Sequence, residues 1–221
     1  MDKLKMFGAV AGDIIGSVYE FWNTKSTDFE LFNKNSRFTD DSVMTLAVAK
    51  WLTEDEAHTI HYLIYCMQEL GHLHPDAGYG GHFLGWLWED DPQPYNSWGN
   101  GAGMRVSPVG LYATTLEETL ELAEITASVS HNHPEGVKGA QAIAACVFLC
   151  KEGKNKQEIK ECVERLFDYD LDRKIAEKDQ TMTLMFLAKV VYLRQLLLSL
   201  KEIHSRRSYV WRYHWEAILT Q

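Results

Sequence analysis

Phe38-Thr39-Asp40-Asp41-Ser42-Val43-Met44-Thr45-Leu46-Ala47-Val48-Ala49-Lys50-Trp51-Leu52 decides the fold class. Val43, Leu46, Ala47 and Trp51 recur at three- and four-residue spacing, which is the period of one helix face. Thr39 stands where a hydroxyl can accept from the first unpaired backbone N–H groups of a helix. Asp40 and Asp41 follow in the first turn, where negative charge complements the helix dipole. The stretch predicts a capped helix over Asp40–Leu52.

The same period extends outward. Leu4–Trp22 carries small and apolar residues at helical spacing, and Leu116–Val129 and Gln157–Phe167 repeat the pattern. Pro134–Leu149 is rich in alanine and has a proline in its first turn, where the missing N–H costs nothing. Strand signals are scarce, and no Asn-Gly or Asp-Gly pair sits between alternating runs. The expected fold is all-α, with several helices in a single domain.

Glycine and proline concentrate between Gly71 and Gly110. A long irregular stretch inside a compact helical domain is usually functional or disordered. Trp86, Trp88, Tyr95 and Trp98 within it argue for packed and functional. The tail differs: from residue 181 onward six residues are basic and two acidic, in a chain that holds 22 basic and 31 acidic overall.

Length and composition narrow the function. A chain of 221 residues can bury a sizeable core, and 46% apolar with 24% charged residues is ordinary for a globular protein. A net charge of -9 repels phosphate backbones, so no nucleic-acid partner is expected. No apolar run reaches spanning length, and Asp13 interrupts the only leader-like stretch, Gly8 to Gly16. No membrane partner is expected, and the cytoplasm is the expected location. Cys66, Cys146, Cys150 and Cys162 form no CxxC pair, so free thiols are expected.

Four constellations can carry chemistry. Thr39, Asp40 and Asp41 are hard oxygen donors suited to Mg²⁺ or Mn²⁺, and equally a helix cap with solvated acids. Gly8, Gly12 and Gly16 fall on one helix face with Asp13, which needs partners if buried; this face suits a close helix contact or a ligand. Ser97-Trp98-Gly99-Asn100-Gly101-Ala102-Gly103-Met104-Arg105 is either a phosphate-cradling loop or an ordinary one. Ser130-His131-Asn132-His133-Pro134-Glu135 offers ligand contacts or a plain helix entry. His72 and His74 have weaker support still.

In order and spacing these segments resemble the ADP-ribosylglycohydrolase family. GAVAGDIIGSVYEF, FTDDSVMTLAVAKWL, GYGGHF, SWGNGAGMRVSPVGL, SHNHPEGVKGAQAIA and DYDLDR carry the likeness, from about Phe7 to Arg173. The resemblance implies an all-helical fold holding two Mg²⁺ or Mn²⁺ ions in a cleft. It implies Thr39, Asp40 and Asp41 as metal ligands, with the two aspartates and Glu20 as the catalytic carboxylates. Ser97, Gly99, Asn100 and Gly101 would hold a diphosphate, with Met104 and His131 beside the ligand. The implied reaction hydrolyses the bond between ADP-ribose and an acceptor on a protein or small molecule. The alternative is an inactive ADP-ribose-binding module.

Family members end in a motif like Leu-Gly-Gly-Asp-Thr-Asp-Thr, which supplies the remaining metal ligands; this chain ends Tyr213-His214-Trp215-Glu216-Ala217-Ile218-Leu219-Thr220-Gln221. The genetic code connects the two. Codons that join the last base of one present codon to the first two of the next force Leu at His214–Trp215 and Gly at Trp215–Glu216. They then permit Gly, Asp, Thr, Asp and Ser or Thr. The same shift from Met185 forces Val and permits a second family-like run. The expectation is a frameshift between about Arg173 and Met185, giving a family domain over 1–180 and an out-of-frame tail over 181–221. Half the metal ligands would then be missing and hydrolysis impaired.

Overall fold

The computed structural model describes residues 7–20 and 29–171. The chain divides into a unit spanning Met1–Asp170 and another spanning Leu171–Gln221, and every described helix lies in the first. The helices are α1 (Phe7–Gly16), α2 (Asp40–Glu54), α3 (Ile60–Leu73), α4 (Gly81–Leu87), α5 (Gly101–Met104), α6 (Ser107–Tyr112), α7 (Leu116–Ser128), α8 (Pro134–Lys151) and α9 (Lys156–Phe167). No strand occurs among the described residues, so the fold is all-α as expected.

Local sequence explains where these helices start. The hydroxyls of Thr39, Thr59 and Thr115 accept from the N–H groups of Asp41, Tyr62 and Glu118, opening α2, α3 and α7. Asn155 and Glu158 close a reciprocal capping box on α9. His133 Nδ1 accepts from the Glu135 N–H, ahead of Pro134 in the first turn of α8. α9 stops at Asp168, which adopts the left-handed conformation with φ of 54°.

Two helices organise the unit. α2 packs against α1, α3, α5 and α6, and α8 packs against α5, α6, α7 and α9. α5 and α6 therefore bridge the two central helices. Val43, Met44, Ala47, Val48, Trp51 and Leu52 of α2 are buried. Leu46, expected on the apolar face with Val43 and Trp51, is instead 47% exposed. It lies on the outer side with Lys50, because neighbours surround α2 on its other sides. Alanine and glycine let α8 be approached closely. A Cβ on Gly110 of α6 would fall 2.5 Å from the Ala144 carbonyl oxygen of α8.

The stretch between Gly71 and Gly110 holds three short helices, α4, α5 and α6, where the sequence reads as irregular. α3 is an element that periodicity did not single out. It buries Leu63, Cys66 and Met67 but leaves Ile60 and Tyr65 exposed, which blurs the apolar stripe. α1 is shorter than the expected Leu4–Trp22; residues 4–6 and 21–22 of that range lie outside the described residues. Thiols are free at all four cysteines, with Cys66 and Cys146 buried. No helix among the described residues is long and apolar enough to cross a membrane.

Candidate active site

Asp13 on α1 fastens the start of α2. Its Oδ1 accepts from the Thr39 hydroxyl at 2.6 Å, and its Oδ2 accepts from the Thr39 N–H at 2.7 Å and the Ser42 hydroxyl at 2.5 Å. The Ser42 N–H adds a fourth bond at 3.2 Å. A carboxylate with this many donors is well compensated for leaving water. Thr39 is buried, and its Oγ1 both donates to Asp13 and accepts from the Asp41 N–H. The Asp40 N–H donates to the Ala77 carbonyl at 2.9 Å. Gly78 follows with φ of 103°, a turn that brings the chain beside the Asp40 carboxyl.

The result is a crowd of acids. Burial raises the Asp40 carboxyl to about 7, helped by the charges of Glu20 and Asp13. Burial also raises Asp41 to about 7, helped by Asp13, Asp40 and Glu20. The strongest charges acting on both are thus negative. Glu20 is exposed beyond the end of α1, yet close enough to act on both.

A second group gathers around His131, which is buried. Its ring lies against the glycine loop, because a Cβ on Gly101 would fall 2.7 Å from Nε2 and one on Gly99 3.8 Å away. The Ser97 hydroxyl accepts from the Gly99 N–H at 3.2 Å. Asn100 is the residue before α5, and its side chain makes no capping bond. Tyr95 meets the His131 ring edge-on at 5.5 Å, and the Phe83 centroid lies at 6.4 Å.

Two links join the groups. Thr45, one turn after Asp41 on α2, donates its hydroxyl to the Met104 carbonyl at the end of α5, at 3.3 Å. Burial and then the Asp40 charge raise the Tyr79 hydroxyl, and the Tyr79 ring packs on Phe83, which neighbours His131.

The full pattern of the chain matches known proteins. The ADP-ribosylglycohydrolase family matches residues 5–214. This chain belongs to that family. It is similar to mouse ADP-ribosylhydrolase ARH3, at 26% identity over 181 residues, covering 68% of this chain and 49% of the relative. Human ADP-ribosylhydrolase ARH3 is 25% identical over 181 residues, covering 68% and 50%. The Xenopus tropicalis protein of that name is 23% identical over 196 residues, covering 76% and 56%. The chain spans about half the length of the curated relatives it matches. The family match runs on into the segment 181–221, which lies outside the described residues.

In this member of the family, then, the singled-out residues form two connected sets. Glu20, Thr39, Asp40 and Asp41 lie together, and Ser97, Gly99, Gly101 and His131 lie together, with Asn100 and Met104 bounding α5. Asp13 belongs to the first set although sequence reading assigned it no role. Its signal was a lone acid on a face of small residues, which had to find donors. Gly8, Gly12 and Gly16 do not form a tight helix contact: added Cβ atoms would meet nothing within 4 Å among the described residues.

The donor set suits a hard dication in kind. Its oxygens are buried at Thr39 and part-buried at Asp40 and Asp41, whose charges repel, so positive charge would relieve them. In number the described residues supply only part of a ligand set. Among the described residues no three His, Cys, Asp or Glu side chains are placed to hold an ion.

Proposed function

We propose that the site is that of a metal-dependent hydrolase that releases ADP-ribose from an ADP-ribosylated protein side chain or small molecule. Thr39, Asp40 and Asp41 would hold one side of a pair of Mg²⁺ or Mn²⁺ ions. Bound ions would supply a counter-charge for ribose oxygens and for an attacking water. The chain's own residues do the rest. Asp13 fixes the Thr39 hydroxyl and the first turn of α2. Ser97, Gly99, Asn100 and Gly101 receive the diphosphate, with Met104 and His131 beside it. Glu20, exposed and near enough for its charge to act on Asp40 and Asp41, would exchange a proton as water adds to the anomeric carbon and the bond to the acceptor breaks.

The observation that carries this reading is the gathering of Asp40 and Asp41 beside Asp13 and Glu20 at one helix start, where burial first and the neighbouring charges next raise both carboxyls to about 7. A plain cap with solvated acids would leave both near the ordinary carboxylate range. Family membership and relatives named ADP-ribosylhydrolase point the same way.

Activity of this chain is impaired, on the same reading. The family's closing metal motif is legible only in the shifted frame, so the ions would be held by part of their ligands. Fewer carboxylates lower the affinity for a hard cation. The cytoplasm is the proposed location. Calorimetric titration with ADP-ribose, with and without Mg²⁺, tests the whole reading. Binding strengthened by Mg²⁺ supports the hydrolase site, binding indifferent to Mg²⁺ supports an inactive ADP-ribose-binding module, and no binding sinks both.

A further inference from the structure

Arg105 is fully buried at 0% exposure, in a chain whose other arginines have no such seat among the described residues. Burying a guanidinium costs several kcal/mol unless its donors are used. Only part of this one is. Its Nη2 donates to the Thr126 carbonyl at 2.6 Å and to the Ser130 hydroxyl at 2.8 Å. Its Nε and Nη1 have no hydrogen-bond partner among the described residues. Phe83 covers it, with the ring centroid 5.5 Å from the guanidinium carbon. Burial lowers it only to about 10, so it stays charged at neutral pH.

The consequence falls on Ser130, which is itself fully buried. Arginine can only donate, so Nη2 occupies a lone pair of the Ser130 oxygen. The single hydroxyl hydrogen then needs an acceptor, and among the described residues Ser130 Oγ has one other hydrogen-bond partner, His131 Nδ1 at 2.8 Å. If Nδ1 carried the proton instead, Oγ would accept twice and its own hydrogen would be stranded in the core. A buried donor without a partner costs more than the bond itself returns. The backbone holds this arrangement. The Ser130 carbonyl accepts from the Tyr95 N–H at 3.1 Å, and the His131 N–H donates to the Ala127 carbonyl at 2.7 Å. The Thr126 carbonyl belongs to the last turn of α7, where a cation is favoured by the helix dipole.

We infer that Arg105 is a positioning residue acting through Ser130, which fixes His131 as the tautomer protonated on Nε2 and so presents an N–H to the Ser97–Gly101 loop. An N–H there attracts an anionic oxygen, whereas the opposite tautomer would present a lone pair to it. The structural part stands on the ligand-free protein, and the assignment of the anion as a diphosphate oxygen rests on the proposed function above.

Nitrogen-15 NMR of histidine-labelled full chain, with His131 identified by its loss in His131→Gln, tests the structural part without any ligand. The expected result is a pyridine-type Nδ1 and a pyrrole-type Nε2. A pyrrole-type Nδ1, or an imidazolium at neutral pH, overturns the inference. Ser130→Ala should mix the two tautomers while the helical circular dichroism is kept, and an unchanged tautomer in that variant also overturns it. Arg105→Lys, which keeps a donor, should preserve the tautomer more fully than Arg105→Met. Should Arg105→Met fail to fold, Ser130→Ala and Arg105→Lys still decide. Calorimetry with ADP-ribose is then read separately. A fixed Nε2–H tautomer without ADP-ribose binding defeats the proposed function and leaves the tautomer assignment standing. Where binding is present, Ser130→Ala should weaken it about tenfold, the scale of one charge-assisted hydrogen bond.

Discussion

The Thr39 hydroxyl donates to Asp13 Oδ1 at 2.6 Å across 26 positions of sequence, tying the middle of α1 to the first turn of α2. The same carboxylate takes the Thr39 and Ser42 N–H groups, so one side chain satisfies donors that a helix start leaves unpaired. Replacing Asp13 by Ala strands them. The expected cost is about 2–4 kcal/mol, from several bonds to a charged acceptor. Urea denaturation monitored by circular dichroism measures it, and a loss under about 0.5 kcal/mol, the size of an ordinary surface change, would show that the clamp is idle.

Asp40→Asn and Asp41→Asn should each stabilise the metal-free protein near pH 8. Both carboxyls titrate at about 7, so burial and repulsion outweigh the few tenths of a kcal/mol that an acid contributes at a helix N-terminus. The gain should be on the order of 1–2 kcal/mol each. Thermal melts in chelator would show a higher Tm for both variants; a lower Tm for both refutes the reading of the acids as mutually repelling.

The pH dependence has a definite sign. Folding raises these two carboxyls to about 7, so the folded chain holds their protons more tightly than the unfolded chain does. Their contribution to stability is full below the ordinary carboxylate range and is lost as pH rises to about 7. Divalent cations compete with those same protons, so Mn²⁺ affinity should climb between pH 6 and 8, by about tenfold for each proton displaced per unit below the titration point. Mn²⁺ paramagnetic titration at three pH values checks this, and a flat profile counts against Asp40 and Asp41 as ligands.

Glycines in two places should respond differently to alanine. In Gly101→Ala the new Cβ meets the His131 ring at 2.7 Å, a side chain that can tilt, so the cost should be about 1–3 kcal/mol and fall chiefly on ligand binding. In Gly110→Ala the obstacle is the Ala144 carbonyl at 2.5 Å, which is helix backbone and cannot yield. Separation of α6 from α8 should cost more than about 3 kcal/mol. Equal stability losses in the two variants would contradict the packing described for α8.

Restoring the shifted reading frame after Arg173 should raise Mg²⁺ affinity at least tenfold, since about three further oxygen ligands would join those near Thr39. DNA sequencing across Arg173–Met185 is the direct check, and an intact gene encoding the present C-terminus removes the basis for the frameshift.

Five of the nine helices among the described residues, α1, α2, α7, α8 and α9, were legible because capping residues and the 3.6-residue period act locally. α2, α7, α8 and α9 begin within a residue of where their sequences place them. α3 and the short helices α4 to α6 were not legible, since Ile60, Tyr65 and Leu84 are apolar yet exposed, and packing against α2 and α8 decides their conformation. In the site, the acids and glycines were visible as residue types, but their gathering was not. Asp13 reaches Thr39, and Arg105 reaches Ser130, over separations that no local pattern reports.

The Ala77 carbonyl that receives the Asp40 N–H gives α3 the role of a ruler. The turn bearing Ala77 is hung from the end of α3, so the length of that helix sets where the first acid of α2 can rest. One inserted residue would swing the turn by roughly 100°. Homologues that lengthen α3 should therefore add residues in whole turns, or surrender the grip on Asp40.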